Sequence, residues 1–142
     1  MLFRSGLTAL ALSAIATAED EVGGTAYAID DQDDDGTWEI DLRVGDRSHE
    51  VTVAQDGASG VEKNEEDDLD DDDRAGLDAA TITIAEAIEI AIDEVGGVLD
   101  DAELGEDDGR HSFEVTLDGT DRGDDVDVKI DVATGEVIEI DG

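Results

Sequence analysis

The clearest pattern in the chain is a helical one between residues 83 and 97. Thr83 and Glu86 form a capping-box pair, which satisfies free backbone amides at a helix N-terminus. Gly96 and Gly97 can adopt the left-handed conformation that ends a helix. Between them, apolar residues recur at the spacing of one helical face: Ile84, Ala87, Ile88, Ala91, Ile92 and Val95. The pattern predicts an amphipathic helix bounded by Thr83 and Gly96.

After these glycines the hydrophobic period changes to two. Apolar and polar residues alternate over residues 113–117 and 126–132, as they do in half-buried strands. Residues 118–123 form a polar turn between them, and residues 133–135 lead into a last strand through Ile138 and Ile140. A helix followed by antiparallel strands predicts an α+β fold in which the helix covers one face of the sheet.

The same plan recurs earlier in the chain, which indicates a duplication. The sequence of residues 20–24 is identical to that of residues 93–97, and residues 38–42 are matched by residues 113–117. Trp38 stands at the position of Phe113 and is predicted to be a core residue, because it lies in an alternating strand. The first helix would bury Ala11, Ala14, Ile15, Ala18 and Val22, with Glu19 at the position of Ile92.

The N-terminal residues have more than one interpretation. Arg4, the apolar residues 7–15 and the small residues 16–18 have the layout of a secretory signal, and the apolar run is too short to span a bilayer. Alternatively, residues 7–22 are the first helix of the fold, since the pentapeptide at residues 20–24 recurs at residues 93–97, where the later helix ends. Residues 1–5 fit neither interpretation and could be a scar on a truncated chain.

Residues 63–80 lie between the two copies and are almost wholly acidic from 65 to 73. Like charges repel, which predicts an extended, solvated linker, with a cation-binding or partner-binding strip as the alternative. The predicted organisation is therefore a degenerate first module at residues 1–62, an acidic linker at 63–80 and a second module at 81–142.

The second copy resembles a PepSY domain in residues 84–91, in the Gly96-Gly97 stop and above all in residues 130–137, Ile-Asp-Val-Ala-Thr-Gly-Glu-Val. The resemblance implies two tandem PepSY-like modules, each a helix packed on an antiparallel sheet of three to four strands. The first copy lacks a clear counterpart of the 133–135 turn, because the segment at residues 55–57 is one residue shorter.

PepSY domains are known from propeptides of secreted thermolysin-like metallopeptidases and from free-standing or membrane-attached envelope proteins, and a peptidase-inhibitory role has been proposed for them. The resemblance implies an extracytoplasmic interaction module that regulates or inhibits a secreted or membrane metallopeptidase. It supplies no catalytic residues, so we expect a protein that is not an enzyme.

Charge narrows the choice of partners and of environment. Asp and Glu number 43 against 8 Lys and Arg, for a formal charge of −35, which argues against nucleic acid or an anionic membrane as partner. Acidity spread along the whole chain is typical of halophilic proteins, because at ~1 M salt the Debye length of about 3 Å screens the self-repulsion. We predict a fold that requires salt, and circular dichroism over a potassium chloride series tests this. The absence of Cys excludes disulfides and thiolate metal sites.

Candidate chemistry is sparse. Asp31, Asp33 and Asp35 match the first positions of a calcium-binding EF-hand loop, but Leu42 occupies the place of its bidentate Glu. We therefore expect an acidic hairpin turn with no metal or cofactor, and an acidic calcium-binding envelope protein is the alternative function. His49 follows Ser48 and His111 precedes Ser112. Neighbouring residues on a strand point to opposite faces, so we expect surface histidines and no dyad. Oligomeric state and the identity of the partner stay undecided.

Overall fold

The computed structural model describes residues 6–32, 37–54 and 61–141. The described residues form these elements: α1 Gly6–Val22, β1 Thr25–Gln32, β2 Thr37–Val44, β3 Arg47–Ala54, β4 Val61–Asp68, α2 Asp71–Ala79, α3 Ile84–Val95, β5 Val98–Asp107, β6 Arg110–Asp118, β7 Val126–Asp131 and β8 Val137–Asp141. The strands form one antiparallel sheet in the order β4-β3-β2-β1-β5-β6-β7-β8. The α+β prediction is confirmed.

Each half of the chain contributes a helix and then four strands that pair in sequence order. The halves meet at the centre of the sheet, where β1 pairs with β5 through Ala28 and Glu103, Ile29 and Ala102, and Asp30 and Asp101. The strands therefore make one continuous sheet instead of two separate ones. Two tandem modules, with the boundaries given above, stay a prediction.

Both long helices lie on the same face of this sheet, since α1 contacts β1–β3 and β5 while α3 contacts β5–β7 and β1. Their apolar sides and the inward side chains of the strands form one core. Trp38 and Phe113 are 0% and 1% exposed, so Trp38 is a core residue as predicted.

Helix α3 begins and ends where the sequence predicts. The Thr83 hydroxyl accepts a hydrogen bond from the Glu86 amide at 3.1 Å, and the Thr83 amide donates to the Glu86 carboxylate at 2.9 Å. Gly96 follows with a φ of 75°. In the first half, α1 buries Ala11, Ala14, Ile15 and Ala18, in agreement with the structural-helix interpretation of residues 7–22.

The second glycine of the repeated pentapeptide has a steric role in both halves. A Cβ atom on Gly24 would lie closer than 3.0 Å to the carbonyl oxygen of Arg43, and one on Gly97 equally close to that of Asp118. Each glycine also has a positive φ. The chain leaves each helix here and passes tightly against the end of the second strand, which requires a residue without a side chain.

The prediction of a solvated linker at residues 63–80 is wrong for their structure. Residues 61–68 form edge strand β4, which pairs with β3, and residues 71–79 form helix α2. The aspartates in the first turn of α2 interact favourably with the positive end of the helix dipole. Arg47 forms ion pairs with Glu66 at 2.9 Å and Asp68 at 2.5 Å, so part of the predicted repulsion is neutralised.

Strand β5 has no clear alternation in the sequence, and the reason is a β-bulge. The register of β5 against β6 shifts between Leu99 and Asp101, so Leu99 and Ala102 both face the core although they are three residues apart. Strand β1 has the equivalent bulge at Tyr27, between Ala26 and Ala28. A strict period of two cannot detect either strand.

Candidate interaction surface

The sheet face opposite α1 and α3 carries a dense array of carboxylates. Cross-strand register places Glu50, Asp41, Glu103 and Glu114 in one row and Glu39, Asp30, Asp101 and Asp127 in the next. Core-facing residues such as Ile40 and Val51 alternate with them along the strands. We call these eight carboxylates the acidic face.

Several of these carboxylates lie directly opposite one another, which destabilises a sheet. Asp41 pairs in register with Glu50, Asp30 with Glu39 and with Asp101, and Glu103 with Glu114. Partial burial, followed by the charges of Glu50 and Glu39, raises the pKa of Asp41 to about 6. The pKa values of Asp101 and Glu103 are also raised, chiefly by burial.

A shallow pocket of about 220 Å³ lies at the junction of the two halves. Ala28 lies between Asp41 and Glu103 in the first row, and its small side chain leaves room between these two carboxylates. The carboxylate residues lining the pocket are Asp30, Glu39, Asp41, Asp101 and Glu103. The centre of the acidic face is thus concave.

The C-terminal turn is built around Asp131. Its Oδ1 accepts hydrogen bonds from the amides of Ala133 at 2.7 Å and Thr134 at 3.1 Å, while Oδ2 accepts one from Arg110 Nε at 2.5 Å. These bonds, that of Arg110 first, lower the pKa of Asp131. Thr81 ties the turn to the start of α3 by donating its hydroxyl to the Ala133 carbonyl at 2.9 Å.

The family model described as "Peptidase propeptide and YPEB domain", PepSY, matches residues 81–141, which include the Asp131 turn. We refer to residues 81–141, the part of the chain that this family model matches, as the PepSY domain. The recognition made from the sequence is thereby confirmed for α3 and β5–β8.

A search of curated proteins returns no significant match. Among solved structures, the chain is similar to the crystal structure of a "putative lipoprotein" from Clostridium difficile 630, with a TM-score of 0.52 and 18% identity. The similarity covers 90% of this chain and 89% of that one, so it extends over the PepSY domain and the half that precedes it. At this identity it shows a shared fold.

The residues considered for calcium are only partly described. Asp31 belongs to β1, whereas Asp33 and Asp35 lie outside the described residues. Leu42, the twelfth position of the EF-hand pattern, is buried in β2. The expectation of an acidic hairpin turn there stays a prediction.

A different set of carboxylates converges in the PepSY domain. Among the described residues, oxygens of Asp100, Asp118 and Asp125 lie within 4.8 Å of one another. Sequence spacing could not reveal this group, because the bulge at Asp100 brings residues of three segments together. At the equivalent bulge of the first half, the Tyr27 hydroxyl lies 2.5 Å from that of Ser48.

The two histidines differ in their surroundings. His49 Nδ1 lies 2.9 Å from Asn64 Oδ1, an exposed pair on the edge of the sheet. His111 is half-buried, and its ring would collide with a Cβ on Gly76 of α2. The expectation of a surface histidine is therefore wrong for His111, because the segment interpreted as a linker is a helix that packs against it.

No described helix is long and apolar enough to cross a membrane.

Proposed function

We propose that this protein is a non-catalytic, extracytoplasmic interaction module that regulates or inhibits a secreted peptidase. The observation that carries the proposal is the PepSY match over residues 81–141, because that family is described by its occurrence in peptidase propeptides. The similarity in fold to a C. difficile protein named as a lipoprotein supports a location outside the cytoplasm.

The edges of the sheet offer one means of binding a peptidase. Strand β8 presents the half-buried apolar residues Val137, Ile138 and Ile140, whereas the opposite edge strand β4 carries exposed acidic residues such as Glu65 and Glu66. An apolar edge with free backbone groups can accept an extended strand of another protein, and charge on an edge discourages such pairing. We therefore assign β8 as the favoured edge.

The test is an inhibition and binding assay against secreted metallopeptidases of the source organism, in molar potassium chloride. We expect slower substrate cleavage and a complex that survives gel filtration. Ile140→Lys should weaken the complex, while Glu66→Lys on β4 serves as the matched control at the other edge. If the folded chain neither binds nor inhibits any of these peptidases, the proposal is wrong.

A second candidate function is cation binding, which the Asp100, Asp118 and Asp125 group favours. Carboxylate oxygens are the ligands that calcium prefers. Calorimetry with calcium at high potassium should give stoichiometric saturation that Asp118→Asn abolishes. Weak, unsaturable heats in the wild type would eliminate this candidate.

A further inference from the structure

Ser112 differs from the other buried polar residues, Ser48 and Asp131, because its side chain has no hydrogen-bond partner among the described residues. Asp131 accepts three hydrogen bonds, and the Ser48 hydroxyl lies 2.5 Å from that of Tyr27. Ser112 is 4% exposed and is thus almost removed from solvent. A buried polar group normally has a partner, because the loss of its hydration otherwise costs free energy. The Ser112 hydroxyl is therefore free to bond a ligand.

Lys129 presents further donors on the same face of the sheet. It pairs in register with Glu114, which lies two residues after Ser112, so the three side chains share one face. The Lys129 side chain is 25% exposed, and its Nζ lies 3.9 Å from Glu139 Oε2. That distance allows an ion pair but exceeds a hydrogen bond. The three N–H groups of this ammonium thus have no hydrogen-bond acceptor within the described part of the chain.

Both residues line one pocket on this face, beside the turn between β5 and β6. Its volume of about 330 Å³ lies within the range of small-molecule sites, ~300–1,000 Å³. Ile138, which is half-buried, lines the same pocket. Its less exposed lining therefore combines a hydroxyl, an ammonium and one apolar side chain.

The more exposed part of the lining is mainly acidic. It consists of Asp107, Asp108 and Glu139, together with Arg110. Arg110 donates its Nε to Asp131 at 2.5 Å, so its charge is already paired. A simple anion at the buried donors would face three carboxylates, and a simple cation would face an ammonium. A molecule that carries both charges avoids both conflicts.

We infer that this pocket binds a small zwitterion of the size of an amino acid. Its carboxylate would accept hydrogen bonds from the Ser112 hydroxyl and the Lys129 ammonium, which are strong when donor and acceptor are charged. Its ammonium would face the three exposed carboxylates, and an apolar side chain would contact Ile138. The inference goes beyond the proposed function, because it requires no peptidase.

The test titrates the full chain with L-valine in molar potassium chloride and follows the backbone amides of Ser112 and Lys129 by nuclear magnetic resonance. N-acetyl-L-valine lacks the ammonium, and L-valinamide lacks the carboxylate. We expect saturable binding of L-valine and at least tenfold weaker binding of each analogue. Equal binding of N-acetyl-L-valine would overturn the inference in favour of a plain carboxylate, such as a peptide C-terminus. Equal binding of L-valinamide, or shifts that do not saturate, would also overturn it.

Variants separate the pocket from the general charge of the protein. Lys129→Met removes the ammonium but keeps an apolar stem, and should weaken L-valine binding at least tenfold. Arg122→Met removes an exposed cation outside the pocket and is the matched control, with an expected change of less than twofold. Equal weakening in both variants would contradict the assignment.

Ser112→Ala tests whether the hydroxyl binds the ligand or supports the fold. It should weaken L-valine binding about three- to tenfold, as expected for the loss of one hydrogen bond. It should not lower the stability of the ligand-free protein to urea, because the hydroxyl has no partner to lose. A variant that is less stable but binds L-valine as tightly as the wild type would assign Ser112 a structural role and overturn the inference.

Discussion

Residues 6–68 and residues 84–141 build the same helix and four-stranded meander, yet they secure it differently. Both halves share the glycine pair after the helix and a bulge in the strand that follows. Helix α3 starts with a capping box, whereas the first turn of α1 carries no acidic residue. The backbone turns thus define the shared scaffold, while the side chains that reinforce it are free to differ.

A polar position in α1 illustrates the same difference. Glu19 occupies the place of Ile92, which is partly buried in the PepSY domain. Instead of making an apolar contact, its carboxylate accepts a hydrogen bond at 2.9 Å from the amide of Ala26, at the start of β1. A charged side chain therefore links the helix to the next strand at a position where the PepSY domain has an apolar residue packed against the core.

The largest effects should come from the two core aromatics. Trp38→Ala and Phe113→Ala should each cost about 3–5 kcal/mol of unfolding free energy, because each leaves a cavity in one shared core. Urea unfolding in molar potassium chloride measures the loss, with Trp38→Phe and Phe113→Leu as milder controls. Since β1 pairs with β5, each variant should show one transition; two separate transitions would mean that the halves unfold independently.

Substituting the second glycine of each pair should give the next largest loss of stability, of similar size in both halves. Gly24→Ala and Gly97→Ala should each lose about 2–4 kcal/mol, because the new Cβ meets backbone atoms that cannot move aside and φ is positive. Gly45→Ala is the control, with a positive φ in open space and an expected cost of about 1 kcal/mol. Similar melting temperatures for all three variants would contradict the steric explanation.

A smaller effect is expected at the capping box, and only in the PepSY domain. Thr83→Ala should destabilise the fold by about 1 kcal/mol, because the Glu86 amide loses its acceptor. Thr83→Ser keeps the hydroxyl and should recover most of the loss. Thermal unfolding by circular dichroism measures both, and equal stability of the two variants would contradict the capping role.

The smallest effect concerns the acidic face and depends on pH. A carboxyl whose pKa is raised holds its proton more tightly when folded, so stability falls as the pH rises from about 4 to about 6. Asp41→Asn should therefore stabilise the fold by up to about 1 kcal/mol at pH 7, allowing for solvent screening, and by nothing below about pH 4.

Urea unfolding at both pH values measures this gain, with Asp20→Asn on α1 as the control. Higher salt should reduce it, because screening weakens the repulsion from Glu50 and Glu39. A gain that persists at low pH would assign the effect to packing instead of charge.

The sequence predicts the parts of the fold in which local signals agree. Helix α3 follows from its period and caps, and strands β6 and β7 from alternation. Strand β5 is not predicted, because the bulge at Asp100 interrupts the alternation of apolar and polar residues. Helix α2 is not predicted, because Leu69 and Leu77, which pack against the core, are separated by a run of acidic residues.

The candidate surface could not be predicted from the sequence, because it depends on register. Asp41 and Glu103 lie on strands from different halves, and only the pairing of both β2 and β5 with β1 sets them on either side of Ala28. Composition gives the amount of charge but not its arrangement. The Asp100, Asp118 and Asp125 group is hidden for the same reason.

The short pairing between β1 and β5 also bears on the duplication that the sequence predicts. A single helix-and-meander unit would leave its first strand as an open edge, and two such units could join there as a symmetric dimer. Fusing the two genes replaces a concentration-dependent encounter by an intramolecular one, at an effective concentration in the millimolar range. Under the predicted duplication, one tethered copy would be free to diverge while the other kept its sequence, in line with a family match that covers residues 81–141.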